Sequence, residues 1–119
     1  MKKLFGILLF IFPMLLSAQT PQEQTGTASF YAKTFEGRRT SSGEKFSNKK
    51  LTAAHKTLAY GTKLKVTNLR NNKSVIVIVN DRLPKKSKRC IDLSQAAAKE
   101  LDFIRAGKTQ VKIEVIKEE

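Results

Sequence analysis

Residues 75–79 read Val-Ile-Val-Ile-Val, and this run constrains the fold more than any other part of the 119-residue chain. β-Branched side chains are stiff at χ1 and are favoured in strands. A run with no polar member predicts a strand that is buried on both faces. Pro84 and the polar triplet 80–82 (Asn-Asp-Arg) predict that the strand ends at Val79, because proline cannot donate to a sheet ladder.

The segment before this run predicts a partner strand. Residues 63–67 (Lys-Leu-Lys-Val-Thr) alternate polar and apolar side chains with a period of two, which is typical of a half-buried strand. Asn71 and Asn72 lie between the two segments, and asparagine tolerates the positive φ angles of tight turns. The two strands therefore predict a β-hairpin.

The rest of the chain predicts further short strands and one clear helix. Residues 27–31, 51–54 and 111–115 are strand candidates, rich in β-branched, aromatic or alternating apolar residues. Ser94 is a good N-cap for a helix over residues 95–101. About six short strands favour a small barrel, since closure removes edge strands. We therefore predict a mostly β domain, a single six-stranded barrel with one or two short helices.

The N-terminus has the layout of a secretory signal peptide. Lys2 and Lys3 precede an apolar run over residues 4–16, and Ser17-Ala18 provides small residues before a polar segment. The expected division is a signal peptide over residues 1–18, a short linker over 19–25 and a barrel domain over 26–117. Leu16 fits the cleavage rule poorly, which keeps an uncleaved anchor as the alternative. Gln19 stands where a lipidated cysteine would be needed, so we expect an exported, non-lipidated protein of the periplasm or cell envelope with no stable membrane anchor.

The net charge of the chain limits the classes of binding partner. The formal net charge of +13 favours an anionic partner, which outside the cytoplasmic membrane means wall glycan or a lipid surface. A basic surface that serves solubility is the alternative. The basic residues are scattered and no nucleic-acid-binding motif accompanies them, so no nucleic-acid partner is expected.

Cys90 is the only cysteine, which excludes an internal disulfide; a small buried side chain is the simpler role and a reactive thiol the alternative.

The polar stretch 37–55 contains two of three candidate acid–base groups, Glu44 and His55. The third, Asp81, follows the most apolar strand, where desolvation is expected to raise its pKa and suit it to proton donation. The alternatives are a solvated loop carboxylate for Glu44, a structural histidine, and an aspartate that accepts turn amides or pairs with Arg82. One histidine and one cysteine disfavour a zinc site, and we expect neither metal nor cofactor.

Several short motifs resemble the RlpA (rare lipoprotein A) family. They are TASFY (27–31), RTSSGE (39–44), LTAAH (51–55), LAYGT (58–62), VTN (66–68), VNDR (79–82), IDLS (91–94) and AA (96–97). Their order matches the family, and together they cover about residues 26–115. The resemblance implies a double-psi β-barrel, similar to the barrels of expansins and of some murein-cleaving enzymes.

The resemblance also implies an activity and a site. Family members are lytic transglycosylases that act on peptidoglycan, with a preference for glycan strands that lack stem peptides. The family's functional positions match Glu44, His55 and Asp81, while Asp92 resembles the aspartate of the related barrels. Substrate contacts are expected from Arg38, Arg39, Thr40, Ser42, Arg82 and Asp92.

The chain departs from the family pattern beside the expected site. Leu83 follows Asn-Asp-Arg where a glycine is usual, and Ala32 follows Tyr31 where a glycine is common. Leu83 is expected to narrow or stiffen the loop next to Asp81. The C-terminal SPOR domain of many members is not in this sequence, so septal targeting is not implied.

The chemistry implied by the family suits a carboxylate site. A lytic transglycosylase cleaves the β-1,4 bond from N-acetylmuramic acid (MurNAc) to N-acetylglucosamine (GlcNAc) by attack of the muramic C6 hydroxyl on C1, which leaves a 1,6-anhydro end. The nucleophile is intramolecular, so one carboxyl group that acts first as acid and then as base suffices. We expect Asp81 or Glu44 to be that group and His55 to position it or the sugar, in cell wall remodelling and daughter cell separation. The expected state is a monomer, and the alternative is a non-catalytic, expansin-like peptidoglycan-binding module.

Overall fold

The computed structural model describes residues 23–117, so the predicted signal peptide (1–18) and linker residues 19–22 lie outside the described residues. Within that range six strands form a closed barrel in the order β1-β5-β2-β4-β3-β6. The strands are β1 (Glu23–Phe30), β2 (Thr52–His55), β3 (Lys63–Asn68), β4 (Ser74–Arg82), β5 (Ile91–Leu93) and β6 (Thr109–Val115). The prediction of a mostly β, six-stranded barrel is confirmed.

The described residues contain one short α-helix, α1 (Gln95–Glu100), and one 3-10 turn (Lys33–Phe35). The Ser94 hydroxyl accepts the Ala97 N–H at 3.2 Å and so satisfies one of the free amides at the start of α1. Ala97 and Ala98 are fully buried, because their small side chains let the helix pack closely on the barrel. The predicted helix and its N-cap are confirmed.

The hairpin of β3 and β4 is also confirmed. The strands pair antiparallel, from Lys63 opposite Ile78 to Thr67 opposite Ser74. The connecting turn places Asn72 at a φ of 64°, the left-handed region that asparagine tolerates.

The prediction that residues 75–79 are buried on both faces is wrong. Val75, Val77 and Val79 point into the core, whereas Ile76 and Ile78 are 45% and 41% exposed. The outer face of this hairpin remains open to solvent, so alternate residues of β4 lie outside the barrel. β-Branched residues are favoured on an exposed strand face as well, which is why the run carries no alternation in its sequence.

The predicted end of this strand at Val79 is also wrong. β4 continues to Arg82, with Asp81 opposite Ala54 and Arg82 opposite His55 in parallel pairing with β2. The polar residues are accommodated because Asn80 is the unpaired residue of a bulge and Asp81 and Arg82 are partly exposed, and Pro84 stands beyond the last paired residue. The candidate residue Asp81 therefore lies on a strand rather than in a loop.

β1 begins earlier than predicted, inside the stretch 19–25 that was expected to be linker. Glu23 lies opposite Glu114 of β6, and the pairing continues to Ala28 opposite Thr109. Lys112 Nζ lies 4.0 Å from both Glu23 Oε2 and Glu114 Oε1 and offsets their repulsion. Polar side chains on the outside of this strand pair conceal it in the sequence.

The barrel interior is filled by aliphatic side chains from all six strands and from α1. The fully buried members are Ala28, Ala53, Leu64, Val66, Val77, Val79, Ile91, Leu93, Ala97, Ala98, Leu101 and Val111. Cys90 is buried beside them, and a Cβ on Gly26 would approach its sulfur to 2.9 Å. Burial raises the pKa of the Cys90 thiol, which fits the role of a small apolar side chain rather than that of a reactive thiolate.

Candidate functional site

A row of four residues from neighbouring strands forms the floor of a groove on the outside of the barrel. Ser29 of β1 lies beside Asp92 of β5, Asp92 beside Ala54 of β2, and Ala54 beside Asp81 of β4. Adjacent strands are about 4.8 Å apart, so the two aspartates stand about 10 Å apart between Cα atoms, with the small side chain of Ala54 between them. The side chains of Ser29, Ala54 and Asp92 face outward because their neighbours along each strand are buried in the core: Ala28, Ala53, Ile91 and Leu93.

The groove has a volume of about 450 Å³ and is open to solvent. Aromatic and apolar side chains flank the two carboxylates, a combination that suits a sugar ring with one polar edge and one apolar face. The other side chains that line it include Phe30, Tyr31, Phe35, Leu83, Pro84 and Arg89.

A β-bulge in β4 directs Asp81 into the groove. Ala53 pairs with Val79 and Ala54 with Asp81, so Asn80 is an extra residue with no partner on β2. The bulge reverses the alternation of β4 after Val79, and Asp81 therefore shares the outer face with Ile78. Bulges re-aim side chains in this way and are frequent next to functional sites.

The Asp81 carboxylate accepts three hydrogen bonds. Oδ1 accepts the backbone N–H groups of Ser41 at 2.8 Å and Arg82 at 2.9 Å, and Oδ2 accepts the Tyr31 hydroxyl. Burial is the largest single influence and would raise the pKa of Asp81, but the hydrogen bonds from Tyr31, Ser41 and Arg82 together outweigh it and hold the pKa below the usual range. The prediction of a raised pKa that suits proton donation is wrong: Asp81 is ionised at neutral pH.

Tyr31 is a site residue that the sequence analysis does not single out, because the local pattern predicts only that it belongs to a strand. Its ring stacks on Phe46 with 4.2 Å between centroids, and both belong to a small buried cluster with Ala54 and Leu83. Burial and the bond to Asp81 raise the pKa of Tyr31 far above its ordinary value, so the phenol stays a hydrogen-bond donor. Leu83 is 3% exposed and supports this cluster from below the groove.

Glu44 lies on the loop that faces the bulge. Asn80 Nδ2 donates to Glu44 Oε1 at 3.0 Å, and the exposed carboxylate has no other side-chain partner among the described residues. Gly43, at a φ of 93°, makes the turn that brings Glu44 back toward β4, a conformation that a larger residue would adopt only under strain. The bulged strand β4 thus positions both predicted carboxylates. Asp81 belongs to the strand, and the side-chain amide of its neighbour Asn80 binds Glu44.

The predicted sugar-binding hydroxyls serve the loop itself. Thr40 Oγ1 lies 2.8 Å from Ser42 Oγ and donates to the Glu44 carbonyl at 3.1 Å. The Ser42 hydroxyl also accepts the Glu44 N–H at 3.3 Å. Neither residue lines the groove floor, and their observed contacts shape the turn that carries Glu44.

The three predicted arginines have different placements. Arg38 is exposed, with its guanidinium 5.1 Å from the centroid of the groove residue Phe35. Arg39 Nη1 donates to the Gly43 carbonyl at 2.8 Å and braces the turn. Arg82 lines the groove, stacks 4.3 Å from the Tyr60 ring centroid and donates from Nη1 to the Leu58 carbonyl at 2.8 Å.

Asp92 is held rigidly at the other end of the floor. Arg89 binds it through both ends of its guanidinium, Nε to Oδ1 at 2.7 Å and Nη2 to Oδ2 at 3.0 Å. Ser29 Oγ donates to the same Oδ1 at 2.7 Å. Bidentate pairing of this kind fixes orientation as well as charge. Arg89 is a second groove residue that the sequence pattern does not distinguish from the surrounding lysines.

The structure does not bring His55 into the groove. Nδ1 accepts the backbone N–H groups of Thr57 and Leu58, each at 3.1 Å, and Nε2 lies 3.0 Å from Gln24 Oε1. The ring lies in a separate cavity of about 200 Å³ with Ile113 and other residues of β1 and β6. Burial first, and then the charges of Arg82 and Lys56, lower the pKa of His55, so the ring is neutral. His55 therefore cannot contact a sugar in the groove that Asp81 lines, and its predicted role of positioning the acid–base group stays a prediction.

Two general features of the site region concern metals and membranes. Across residues 23–117, no group of three or more His, Cys, Asp or Glu side chains has an arrangement that would hold a metal ion. Over the same range, no helix has the length and apolar character needed to cross a membrane.

The closed six-stranded barrel and the outward-facing acidic groove define a double-psi β-barrel domain. Residues 23–113 match the family model described as lytic transglycolase. The chain belongs to the RlpA family. It is 53% identical over 93 residues to the endolytic peptidoglycan transglycosylase RlpA of Neisseria meningitidis (serogroup A strain), which covers 78% of this chain and 39% of the relative. It is also 53% identical over 91 residues to the RlpA of Campylobacter jejuni, covering 76% of this chain and 33% of the relative.

Solved structures with the same fold are more distant in sequence. A Streptomyces papain inhibitor superposes with a TM-score of 0.66 at 21% identity, covering 82% of this chain and 96% of the inhibitor. The expansin of Clavibacter michiganensis superposes with a TM-score of 0.64 at 20% identity, covering 82% of this chain and 52% of the expansin. These likenesses establish the shared fold. In contrast to the near-complete match with the inhibitor, the chain spans about a third to two fifths of the length of the RlpA relatives.

Proposed function

We propose that this domain is an endolytic peptidoglycan lytic transglycosylase. It cleaves the β-1,4 bond from MurNAc to GlcNAc in stem-peptide-poor glycan strands and leaves 1,6-anhydro-MurNAc ends, in cell wall remodelling and daughter cell separation. The observation that carries the proposal is a pair of neighbouring carboxylates: Asp81 projects from the bulged strand into a sugar-sized groove, and Glu44 is held beside that strand by the side chain of Asn80, the residue before Asp81. The printed names of the RlpA relatives support the same activity.

The two carboxylates have different roles in this proposal. Asp81 is kept ionised by its three donors, so it acts as the base and stabilises the positive charge that develops at C1. Glu44 is the proton donor to the leaving oxygen. Its partner Asn80 donates from Nδ2 to Glu44 Oε1 at 3.0 Å and so orients the carboxyl group.

The proposed step consumes no water. Glu44 protonates O4 of GlcNAc as the bond between C1 of MurNAc and O4 breaks. The C6 hydroxyl of the same MurNAc attacks C1, forms the C1–O6 bond and passes its proton to Asp81. Exchange with solvent then restores both carboxyl groups. The attack is intramolecular, so most of the entropic cost of bringing the reactants together is avoided.

The groove ends supply the proposed substrate contacts. Asp92, fixed by Arg89, accepts sugar hydroxyls on one side of the floor. Arg82 and the exposed Arg38 lie where they can bind muramyl carboxylates, and Phe35 offers an apolar wall for a ring. Arg39, Thr40 and Ser42 contribute indirectly, because their observed contacts hold the Glu44 loop.

His55 is a positioning residue in this proposal. Its carbonyl accepts the Leu83 N–H and an Arg82 guanidinium hydrogen, both at 3.3 Å, while its ring caps the turn that follows β2. The ring therefore fixes the end of the β2–β4 pair from which Asp81 projects.

The proposal includes the compartment and the state of the protein. The mature domain works outside the cytoplasmic membrane, in the periplasm or cell envelope, as a monomer that is not lipidated and has no stable membrane anchor. The basic composition of the chain supports a polyanionic partner there.

The experiment is digestion of stem-free glycan strands by the mature domain, with the new ends identified by mass spectrometry. Wild type is expected to yield 1,6-anhydro ends, and Glu44→Gln to lose at least about a hundredfold in rate, since general acid catalysis contributes on this scale. Glu100→Gln is the matched control, because Glu100 is an exposed carboxylate at the end of α1. Reducing ends in place of anhydro ends would contradict the proposed reaction. Strand binding without any new ends would favour the expansin-like binding module.

A further inference from the structure

The connection from β4 to β5 carries three lysines at the edge of the groove. Lys85, Lys86 and Lys88 are exposed, while their loop neighbours Pro84 and Arg89 line the groove itself. We refer to Lys85, Lys86 and Lys88 as the lysine rim. The rim therefore lies next to the part of the groove that Pro84 and Arg89 line.

The backbone of this loop is held in place by its remaining residues. The Ser87 N–H donates to the Pro84 carbonyl at 3.0 Å, and Lys56 Nζ donates to the Ser87 carbonyl at 2.6 Å. The Ser87 hydroxyl accepts the Arg89 N–H at 3.1 Å. These hydrogen bonds hold the loop backbone in a conformation in which its lysines face solvent.

The rim lysines make no polar contact with the rest of the described structure. Within residues 23–117, none of the three has a hydrogen bond or an ion pair, whereas Lys56 and Arg89 beside them are both engaged. Three unpaired cations within four residues repel one another, and an anion that binds there relieves this repulsion. Arg38 is also exposed, and its guanidinium lies over the groove residue Phe35, so further positive charge stands near the acidic floor.

We propose that the lysine rim binds the carboxylates of an anionic glycan strand as it leaves the groove, beyond the sugars at the cleaved bond. This rests on the proposed function, because a MurNAc residue without a stem peptide carries one lactyl carboxylate. Such carboxylates recur along the strand, so a rim outside the cleavage site meets further copies of the same group. The rim is a local feature at the mouth of a groove, which favours a polymer threaded through it over a flat anionic membrane.

Two triple variants with the same change in charge test this proposal. Lys85→Gln/Lys86→Gln/Lys88→Gln removes the rim, and Lys65→Gln/Lys108→Gln/Lys117→Gln removes three exposed lysines that do not line the groove. Both are made in an Asp81→Asn background, so that strands are bound and not cut. The readout is the Kd for fluorescently labelled, stem-free glycan strands at low and high salt.

The rim variant is expected to bind about tenfold more weakly at low salt, since three exposed charge pairs each contribute a small free energy. Its Kd should also depend less steeply on salt, and the control variant should stay within about twofold of the parent. Strands whose carboxylates have been converted to neutral amides should bind the parent and the rim variant equally.

Equal weakening of both variants would overturn the proposal in favour of overall net charge. So would a rim variant that binds strands normally but loses binding to vesicles containing anionic phospholipid, which would make the rim a membrane contact. The binding assay does not depend on cleavage. If the Asp81→Asn parent binds strands through its rim but the wild type makes no anhydro ends, only the catalytic proposal is contradicted.

Discussion

Two adjacent pairs of residues on β2 and β4 lead to different environments. Ala54 lies opposite Asp81 and His55 opposite Arg82, one step further along the same strands. Asp81 faces an open groove of about 450 Å³, while the His55 ring occupies a separate cavity of about 200 Å³. Asp81 receives hydrogen bonds from three segments, whereas His55 bonds the turn that follows it and one residue of β1.

Asp81 and His55 lie one register step apart on paired strands, yet their environments give them different charge states. Both pKa values are lowered, but a lowered pKa leaves an aspartate charged and a histidine neutral. Asp81 is therefore an ionised base in a substrate-sized groove, and His55 is a neutral cap behind it. The catalytic work should divide in the same way.

The largest expected effect is on Asp81 itself. Asp81→Asn keeps the size of the side chain but removes the charge that the groove donors stabilise, so glycan cleavage should fall by about a hundredfold or more. Asp102→Asn is the control, because Asp102 is exposed and its carboxylate pairs only with Lys73, at 3.8 Å, within residues 23–117. The measurement is the initial rate of anhydro-end formation, and unchanged cleavage in Asp81→Asn would remove Asp81 from the mechanism.

The next effect is on stability beneath the groove. Leu83→Ala leaves a cavity beside Tyr31 and Phe46 and should lower the free energy of unfolding by about 2–4 kcal/mol. Leu69, which is 46% exposed, is the matched site, and Leu69→Ala should change stability by less than about 0.5 kcal/mol. Urea unfolding of both variants makes the comparison. Similar small losses at the two sites would mean that Leu83 does not support the groove.

A smaller change is expected from Tyr31→Phe, which keeps the stacking on Phe46 and removes one donor to Asp81. Loss of that hydrogen bond raises the pKa of Asp81, so a smaller fraction is ionised in mild acid. The acid limb of the cleavage rate against pH should move to higher pH, with about a tenfold loss in rate at its midpoint. An unshifted acid limb would show that Tyr31 does not set the charge of Asp81.

The smallest effect concerns the His55 cavity. The folded-state pKa of His55 is lowered, so below a pH of about 6.5 the unfolded chain takes up a proton that the folded chain does not bind. Its contribution to stability is therefore present above the ordinary histidine pKa and is lost as the pH falls toward the folded-state pKa. His55→Asn, which has no titrating ring, should flatten this part of the unfolding free energy measured against pH. A wild-type slope of the opposite sign would contradict the neutral, buried ring.

Much of the barrel follows from local sequence patterns. The alternation of residues 63–67, the asparagine turn and the Ser94 cap each predict an element that the structure contains. The exposure of Ile76 and Ile78 does not follow, because a run of β-branched residues looks the same whether one or both faces are buried. The start of β1 at Glu23 is hidden for a related reason: its polar side chains lie on the outside of a strand pair.

The site is predictable in its composition and less so in its arrangement. Glu44 stands out as a carboxylate in a polar loop and Asp81 as one at the end of an apolar strand. In the structure the loop of Glu44 lies against β4, where Ser41 donates to Asp81 and Asn80 donates to Glu44. The pKa direction of Asp81 is not predictable, because it depends on amide and phenol donors 40 and 50 residues away. The orientation of Asp81 into the groove depends on a bulge at Asn80, which a linear pattern does not reveal.

The most direct test of this division compares Asp81→Asn with His55→Asn in one assay. Asparagine at position 55 retains an acceptor for the turn amides of Thr57 and Leu58, so the cap is partly preserved. With equal amounts of folded protein and stem-free glycan, Asp81→Asn should lose about a hundredfold or more in anhydro-end formation, and His55→Asn about tenfold or less. Equal losses in the two variants, with both fully folded, would contradict the account and return His55 to the chemical step.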